Sequence, residues 1–259
     1  MHVVHLNATA RELTPDYLRI IASARAHGVD LTTEMYPYEA AMGSLVAYDT
    51  TTLASRPDAW FQRFEDPLTG TTLTRATFRQ AQALGTDLII HARDTVQANA
   101  WLRAGVESAL PMFASDGLLS SHGGHPRVVG TFARILGHYV REEHALSLMD
   151  AVRRMTFAPA RRLERRVPAM KHKGRIQLGA DADLTIFDAS RIADRATYRE
   201  PTRAPDGIVA VVVNGVPVVR ESQLLASLPG RPVRAATRRT AMIDSSTSSR
   251  RRSRPPRSR

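Results

Sequence analysis

Cysteine is absent from all 259 residues. That excludes disulfides and thiolate metal ligands, so any bound metal would rest on His, Asp or Glu. Long apolar runs are absent too. No stretch approaches the roughly 18 residues a membrane-spanning helix needs, so no membrane partner is expected. The first residues lack the charged, apolar and small-residue order of a secretory leader, and the expectation is a cytoplasmic protein. Acidic charge is scarce only at one end. The net charge is +11, but residues 231–259 hold ten Arg and one Asp, a net +9, which leaves +2 for the other 230 residues. The high pI is therefore a property of a tail. Nucleic acid is not an expected partner of the folded part, and the tail would bind phosphates only nonspecifically. Residues 233–259 are Ser/Arg/Pro-rich and cannot bury a core, so they are expected to be disordered.

Against these absences stands one concentrated stretch, Leu110 to Gly130. Leu110 to Ala114 reads as a short buried strand. It stops at Ser115-Asp116-Gly117, so Asp116 falls where a strand becomes a loop. His122, His125 and Arg127 follow within eleven residues. A polar surface loop would look the same if the stretch stood alone. Three other apolar runs end in a similar way. Val3-Val4 ends at His5, the run from Val29 to Thr33 ends at Glu34, and Leu88 to Ile90 ends at His91. In a (β/α) barrel the chemistry sits at the C-terminal ends of the strands. Four strand ends carrying His, Glu, His and Asp fit that rule.

Helical signals lie between these runs. Thr14-Pro15 opens a helix that Gly28 closes, with Thr14 as cap. Thr74 to Leu84 is closed by Gly85, and Thr95 to Arg103 leads to the strand before Asp116. Thr131 to Arg141 is helical with Phe132, Ile135, Leu136 and Tyr139 on one face. Ser147 caps Leu148 to Met155, with Asp150 in a capping-box position. Ala40 to Gly70 has no clear period but holds Trp60, Phe61 and Phe64, which suggests an ordered insertion of the kind that often serves as a lid. From Lys173 the pattern becomes turn and strand. Asn214-Gly215 between two valine-rich runs predicts a β-hairpin.

Ala114-Ser115-Asp116-Gly117, His125-Pro126-Arg127, the run Gly130 to Gly137 (GTFARILG), Tyr36-Pro37-Tyr38 and His5-Leu6 together resemble the metal-dependent amidohydrolases of the N-acyl-D-amino-acid deacylase, or D-aminoacylase, family. The resemblance covers roughly residues 2 to 232. It implies an α/β fold: the C-terminal half of a TIM-like (β/α)8 barrel over residues 1–165, then a small β-sandwich segment over 170–232. It implies zinc as cofactor, an N-acyl-D-amino acid as the small-molecule substrate, and hydrolysis of its amide bond. Asp116 would be the catalytic base. His5, His91 and Glu34 would be the metal ligands. Tyr36, His125 and Arg127 would bind substrate, although the Tyr36 ring can equally pack in a core and Arg127 can equally pin the loop. His138, His144 and His172 lie away from the strand ends and are expected to be structural or solvated, as is His122. Such enzymes usually carry a His-x-His pair on a first strand, and this sequence has none. The expectation is a chain without the first barrel strands and with an incomplete metal shell. Two other readings share the pattern: a cyclic-amide hydrolase of the dihydroorotase or hydantoinase kind, and a non-catalytic remnant.

Overall fold

The computed structural model describes residues 1–47, 51, 53–120 and 123–235. His122 and the tail beyond 235 lie outside the described residues, so the expectations for them stay with the sequence.

Strand β1 (His2–Val3) leads into α1 (Leu6–Ala10), α2 (Thr14–Ala26) and β2 (Thr32–Met35). The two strands pair in parallel, His2 against Thr32 and Val3 against Thr33. Leu6, Ala10, Leu18 and Ile21 form a small core under the helices. Thr14 is the first helical residue rather than the cap, and its hydroxyl donates to Arg11 O at 2.6 Å. Gly28, at φ +83°, turns the chain out of α2 as expected. Strand β2 begins later than its apolar run suggests, because Val29 is half exposed and Val29 to Leu31 serve as the approach. Glu34 therefore sits inside the strand. Thr33 and Met35 are buried on one face, and Thr32 and Glu34 lie half-buried on the other.

The chain then leaves the parallel sheet. Strands β3 (Ala41–Ser44), β4 (Phe64–Glu65) and β5 (Asp87–Ile90) form an antiparallel sheet in the order β3-β5-β4. This corrects the sequence expectation for the strand before His91, which pairs with β3 and β4 and not with the parallel strands. Helices α3 (Asp58–Phe61) and α4 (Arg75–Leu84) cover the sheet. Thr74 and Thr77 make a reciprocal capping box at the start of α4, and Gly85 at φ +67° ends it. Phe78 is fully buried, with ring centroids 4.9 Å from Phe64 and 5.4 Å from Phe61. Emptying that position removes the centre of the cluster. Phe78→Ala is expected to cost about 3–5 kcal/mol, read as a lowered denaturant midpoint.

Helix α5 (Thr95–Glu107), capped by Asp94, packs on α2 and returns the chain to β6 (Pro111–Phe113). Strand β6 pairs in parallel with β2, giving a sheet of order β1-β2-β6. Among the described residues the parallel sheet thus has three strands, not four. A short hairpin, β7 (Leu119–Ser120) and β8 (Gly123–Gly124), precedes α6 (Arg127–Arg134) and a π-helical stretch, Ile135–Glu142. Phe132 is half exposed while Ile135, Leu136 and Tyr139 are buried. The wider π turn rotates the later residues relative to a straight 3.6-residue period, which separates the expected face. Helices α7 (Leu148–Met155), with Ser147 as its cap, and α8 (Phe157–Leu163) follow. The main core joins α5, β2, β6, the π-helical stretch and α7 through Met35, Trp101, Leu102, Phe113, Ile135, Leu136 and Ala151.

Strands β9 (Leu184–Phe187), β10 (Ile208–Val213), β11 (Val216–Arg220) and β12 (Gln223–Leu224) form one antiparallel sheet in the order β12-β11-β10-β9. Asn214 and Gly215 both have positive φ, as a two-residue hairpin turn requires. The class is mixed α/β. Among the described residues no helix is long and apolar enough to cross a membrane.

Candidate active site

The carboxyl ends of the parallel strands face a cavity of about 470 Å³ lined in part by His5, Ser115, Asp116, Gly117 and Arg127. His5 follows β1 with φ 35° and ψ 54°, and Asp116 follows β6 with φ 45°. Both adopt the left-handed conformation that non-glycine residues rarely take, which persists only where surroundings impose it. At Asp116 the surroundings are visible. A Cβ on Gly117 would lie 2.8 Å from the Val128 backbone, so the chain there passes tightly against the start of α6. The buried Arg127 guanidinium sets Nη1 2.8 Å from Asp116 Oδ2.

Arg127 also lies over the Tyr36 ring at 4.5 Å. Among the described residues two buried polar atoms in this group, Tyr36 Oη and Arg127 Nε, have no hydrogen-bond partner. Burial raises the Tyr36 hydroxyl to about 12, with the Arg127 charge opposing and that of Asp116 assisting. The phenol is therefore a neutral donor at ordinary pH. Buried polar groups normally find partners, so these two atoms are exceptions in a group whose Arg127 also lines the cavity. Tyr38 behaves differently. Its hydroxyl donates to Asp194 Oδ2 at 3.3 Å, and burial followed by the Asp194 charge pushes its pKa upward.

The three expected metal ligands do not converge. His5 turns its Nδ1 toward Thr9 Oγ1 at 3.0 Å. Glu34 accepts from the His5 amide at 3.2 Å and meets His2 Nε2 at 3.4 Å. His91 lies on the other sheet, and both its ring nitrogens are engaged at 2.9 Å, Nδ1 by Glu39 Oε1 and Nε2 by Glu65 Oε2. Among the described residues no three His, Asp or Glu side chains could hold one metal ion. His125 is buried between Tyr36, Tyr38 and Tyr198. Its Nδ1 accepts from the Arg127 amide at 3.0 Å and its Nε2 donates to Ala40 O at 3.1 Å. Burial, with the Arg127 charge assisting, lowers its pKa to about 3. This ring is a neutral brace between the Asp116 loop and β3, with no nitrogen left for substrate.

Sequence reasoning missed the brace partners. Asn7 is buried, donates to Tyr38 O and accepts from the Tyr36 amide, both at 3.2 Å, and so fixes the Tyr36 turn to α1. Tyr198 reaches Glu39 from far along the chain with no local signal to announce it. The Glu39–His91–Glu65 group has a pH consequence. Hydrogen bonding to Glu39, against burial, raises the His91 pKa above 6.5. Burial would raise Glu39, but hydrogen bonds from His91 and the Ala92 amide outweigh it and hold that carboxyl low. A raised imidazole contributes stability that is complete below its unfolded value and is lost as pH rises through the folded value. The lowered Glu39 contributes stability above its unfolded value and loses it only in acid. Thermal melts should therefore show the chain losing stability as pH rises above 6.5, with a weaker dependence in His91→Gln.

The sequence matches the amidohydrolase family over residues 5–219. The chain belongs to that family. Among curated proteins this chain is 35% identical over 222 residues to the N-acyl-D-glutamate deacylase of Alcaligenes xylosoxydans xylosoxydans, covering 83% of this chain and 43% of that one. It is 41% identical over 120 residues to the D-aminoacylase of the same organism, covering 46% and 24%. Among solved structures, an N-acyl-D-glutamate deacylase from Bordetella bronchiseptica, complexed with zinc and a phosphonate mimic of the tetrahedral intermediate, superposes with a TM-score of 0.73 at 29% identity. That match covers 90% of this chain and 49% of the other. A D-aminoacylase studied for its binuclear metal centre gives 0.72 at 26% identity with the same coverage. The chain spans about half the length of these structural relatives and less of the curated ones.

Proposed function

We propose that this amidohydrolase carries the acid–base and carboxylate-binding side of an N-acyl-D-amino-acid deacylase site. The observation that carries the reading is Asp116, in a left-handed conformation at the carboxyl end of β6, paired with buried Arg127 on a cavity that His5 also lines. The 35% identity to an N-acyl-D-glutamate deacylase supports the same substrate class. In this reading the three-stranded parallel sheet is part of a TIM-like barrel and the β9–β12 sheet is part of a small sandwich. The likeness to the Bordetella structure supports both assignments.

Hydrolysis adds water across the amide C–N bond. The water oxygen bonds to the acyl carbon, the C–N bond breaks, and a proton must travel from the water to the departing amine. Asp116 is the proton carrier, taking it in the first step and returning it in the second. Arg127 offers a planar fork suited to a substrate carboxylate, with its Nε unpartnered. The neutral Tyr36 hydroxyl is a second donor to the same anion. Zinc is the metal of this reading, since the Bordetella relative was solved with it. Among the described residues the side chains do not complete a zinc shell: His5 is the one described imidazole on the cavity, where a hydrolytic zinc normally holds three protein ligands.

The test supplies the rest of the fold from a relative. Residues 5–219 replace the matched segment of the Alcaligenes N-acyl-D-glutamate deacylase, and release of free amino acid is followed from N-acetyl-D-glutamate, its L enantiomer and a cyclic ureide. The expected result is D-selective release from the linear substrate. A folded graft that opens the ureide instead, or shows no preference between enantiomers, overturns the assignment.

A further inference from the structure

A second cavity, of about 400 Å³, shares no lining residue with the Asp116 cavity. It opens between the turn after α1, the approach to α3 and the β5–α5 connection. Four arginines line it: Arg11, Arg56, Arg63 and Arg93. Glu12 and Asp94 are its acidic residues, and Asp94 is occupied as the cap of α5, accepting from the Val96 and Gln97 amides. Cationic groups therefore outnumber the acidic ones, and Arg11, Arg56 and Arg93 make no ion pair with any described residue.

Two of the arginines are positioned in advance. Arg63 donates from Nε and Nη2 to His91 O at 3.0 and 2.9 Å. Arg56 lies over the Trp60 ring at 5.3 Å, and its own carbonyl accepts from Arg75 Nη2 at 2.6 Å. Trp60 and Trp101 give the cavity flat apolar walls. Arg56, held by stacking, makes no ion pair with a described residue and can turn its N–H fork toward carboxylate or phosphate oxygens, with little side-chain freedom left to lose on binding.

We propose that this cavity is a binding site for a small dianionic ligand, carboxylate- or phosphate-bearing, whose apolar part rests on the indoles. The proposal stands independently of the deacylase reading, because it uses none of the residues of the Asp116 site.

The chain has two tryptophans, and both line this cavity, so intrinsic fluorescence reports on it directly. The 259-residue chain is titrated with sodium glutarate and, separately, with sodium phosphate, at ionic strength held constant with sodium chloride. A saturable change in tryptophan emission is expected. Glutarate alone producing it identifies a carboxylate ligand, phosphate alone a phosphate ligand, and both a site for dianions in general. Arg56→Gln with Arg93→Gln should weaken the response at least about tenfold, as loss of charge-assisted hydrogen bonds does. Arg19→Gln with Arg25→Gln, the same change in charge on α2, should leave the midpoint within about twofold. Neither probe giving a saturable change, or both double variants losing the response equally, overturns the proposal. The arginine-rich tail is present in every sample, so its nonspecific binding of anions cancels in the comparison.

Discussion

Asp116→Asn is expected to lower kcat of the grafted deacylase by about 10² to 10⁴, the usual contribution of a positioned proton carrier. The substitution is nearly isosteric. The Asn carbonyl still accepts from Arg127 Nη1, which lies 2.8 Å from Asp116 Oδ2, so the loop keeps its anchor. Asn also tolerates the left-handed backbone that φ 45° demands. Stability should change little while the proton path is lost, and measuring kcat beside the melting temperature separates the two effects. A near wild-type kcat would remove Asp116 from the mechanism.

Arg154→Met should produce the largest loss of stability. Arg154 is 1% exposed and ties three elements together. Its Nε donates to Pro111 O at 2.7 Å, Nη1 to Val106 O at 2.6 Å, and Nη2 to Gly105 O at 3.3 Å. Nη1 also meets Asp150, and the guanidinium lies over Phe113 at 4.0 Å. Methionine fills part of the volume but leaves the carbonyls at the end of α5 and the start of β6 unpartnered. Breaking a buried charged hub of this kind costs about 3–5 kcal/mol. The check is the denaturant midpoint of Arg154→Met. A shift under about 1 kcal/mol would mean that the carbonyls find water. Because β6 ends beside Asp116, the same variant should weaken activity of the graft further than its folded fraction alone explains.

What the sequence could reveal follows from the range of its signals. Caps and turns are local, and these were legible: Ser147 before α7, Gly85 after α4, and Asn214-Gly215 in the β10–β11 hairpin. The break at Ser115-Asp116-Gly117 was legible for the same reason, since an apolar run ends there. Strand partnership is not local. Asp87 to Ile90 is a buried apolar run that reads alike in a parallel or an antiparallel sheet, and only Ala41–Ser44 and Phe64–Glu65, far away in sequence, decide between them. Hence His91 was expected beside His5 and instead lies between Glu39 and Glu65. His125 shows the same limit at the level of one ring. Its place in a polar loop suggested a ligand-facing residue, while its two hydrogen bonds, to Ala40 and the Arg127 amide, depend on how that loop folds back on β3. Apart from its i−4 neighbour Asp150, the Arg154 hub leaves no signal, because its other acceptors are backbone carbonyls.

In the proposed reading a substrate occupies the cavity lined by His5, Asp116 and Arg127, with Tyr36 buried against the Arg127 guanidinium. A crystal structure of the graft with a phosphonate mimic of the tetrahedral intermediate tests it most directly. The account predicts a phosphonate oxygen within about 2.6–3.2 Å of an Asp116 carboxylate oxygen, with the ligand's carboxylate on Arg127 and the Tyr36 hydroxyl. A phosphonate bound elsewhere, with Asp116 still held only by Arg127 and the Tyr36 hydroxyl still unpartnered, would contradict it.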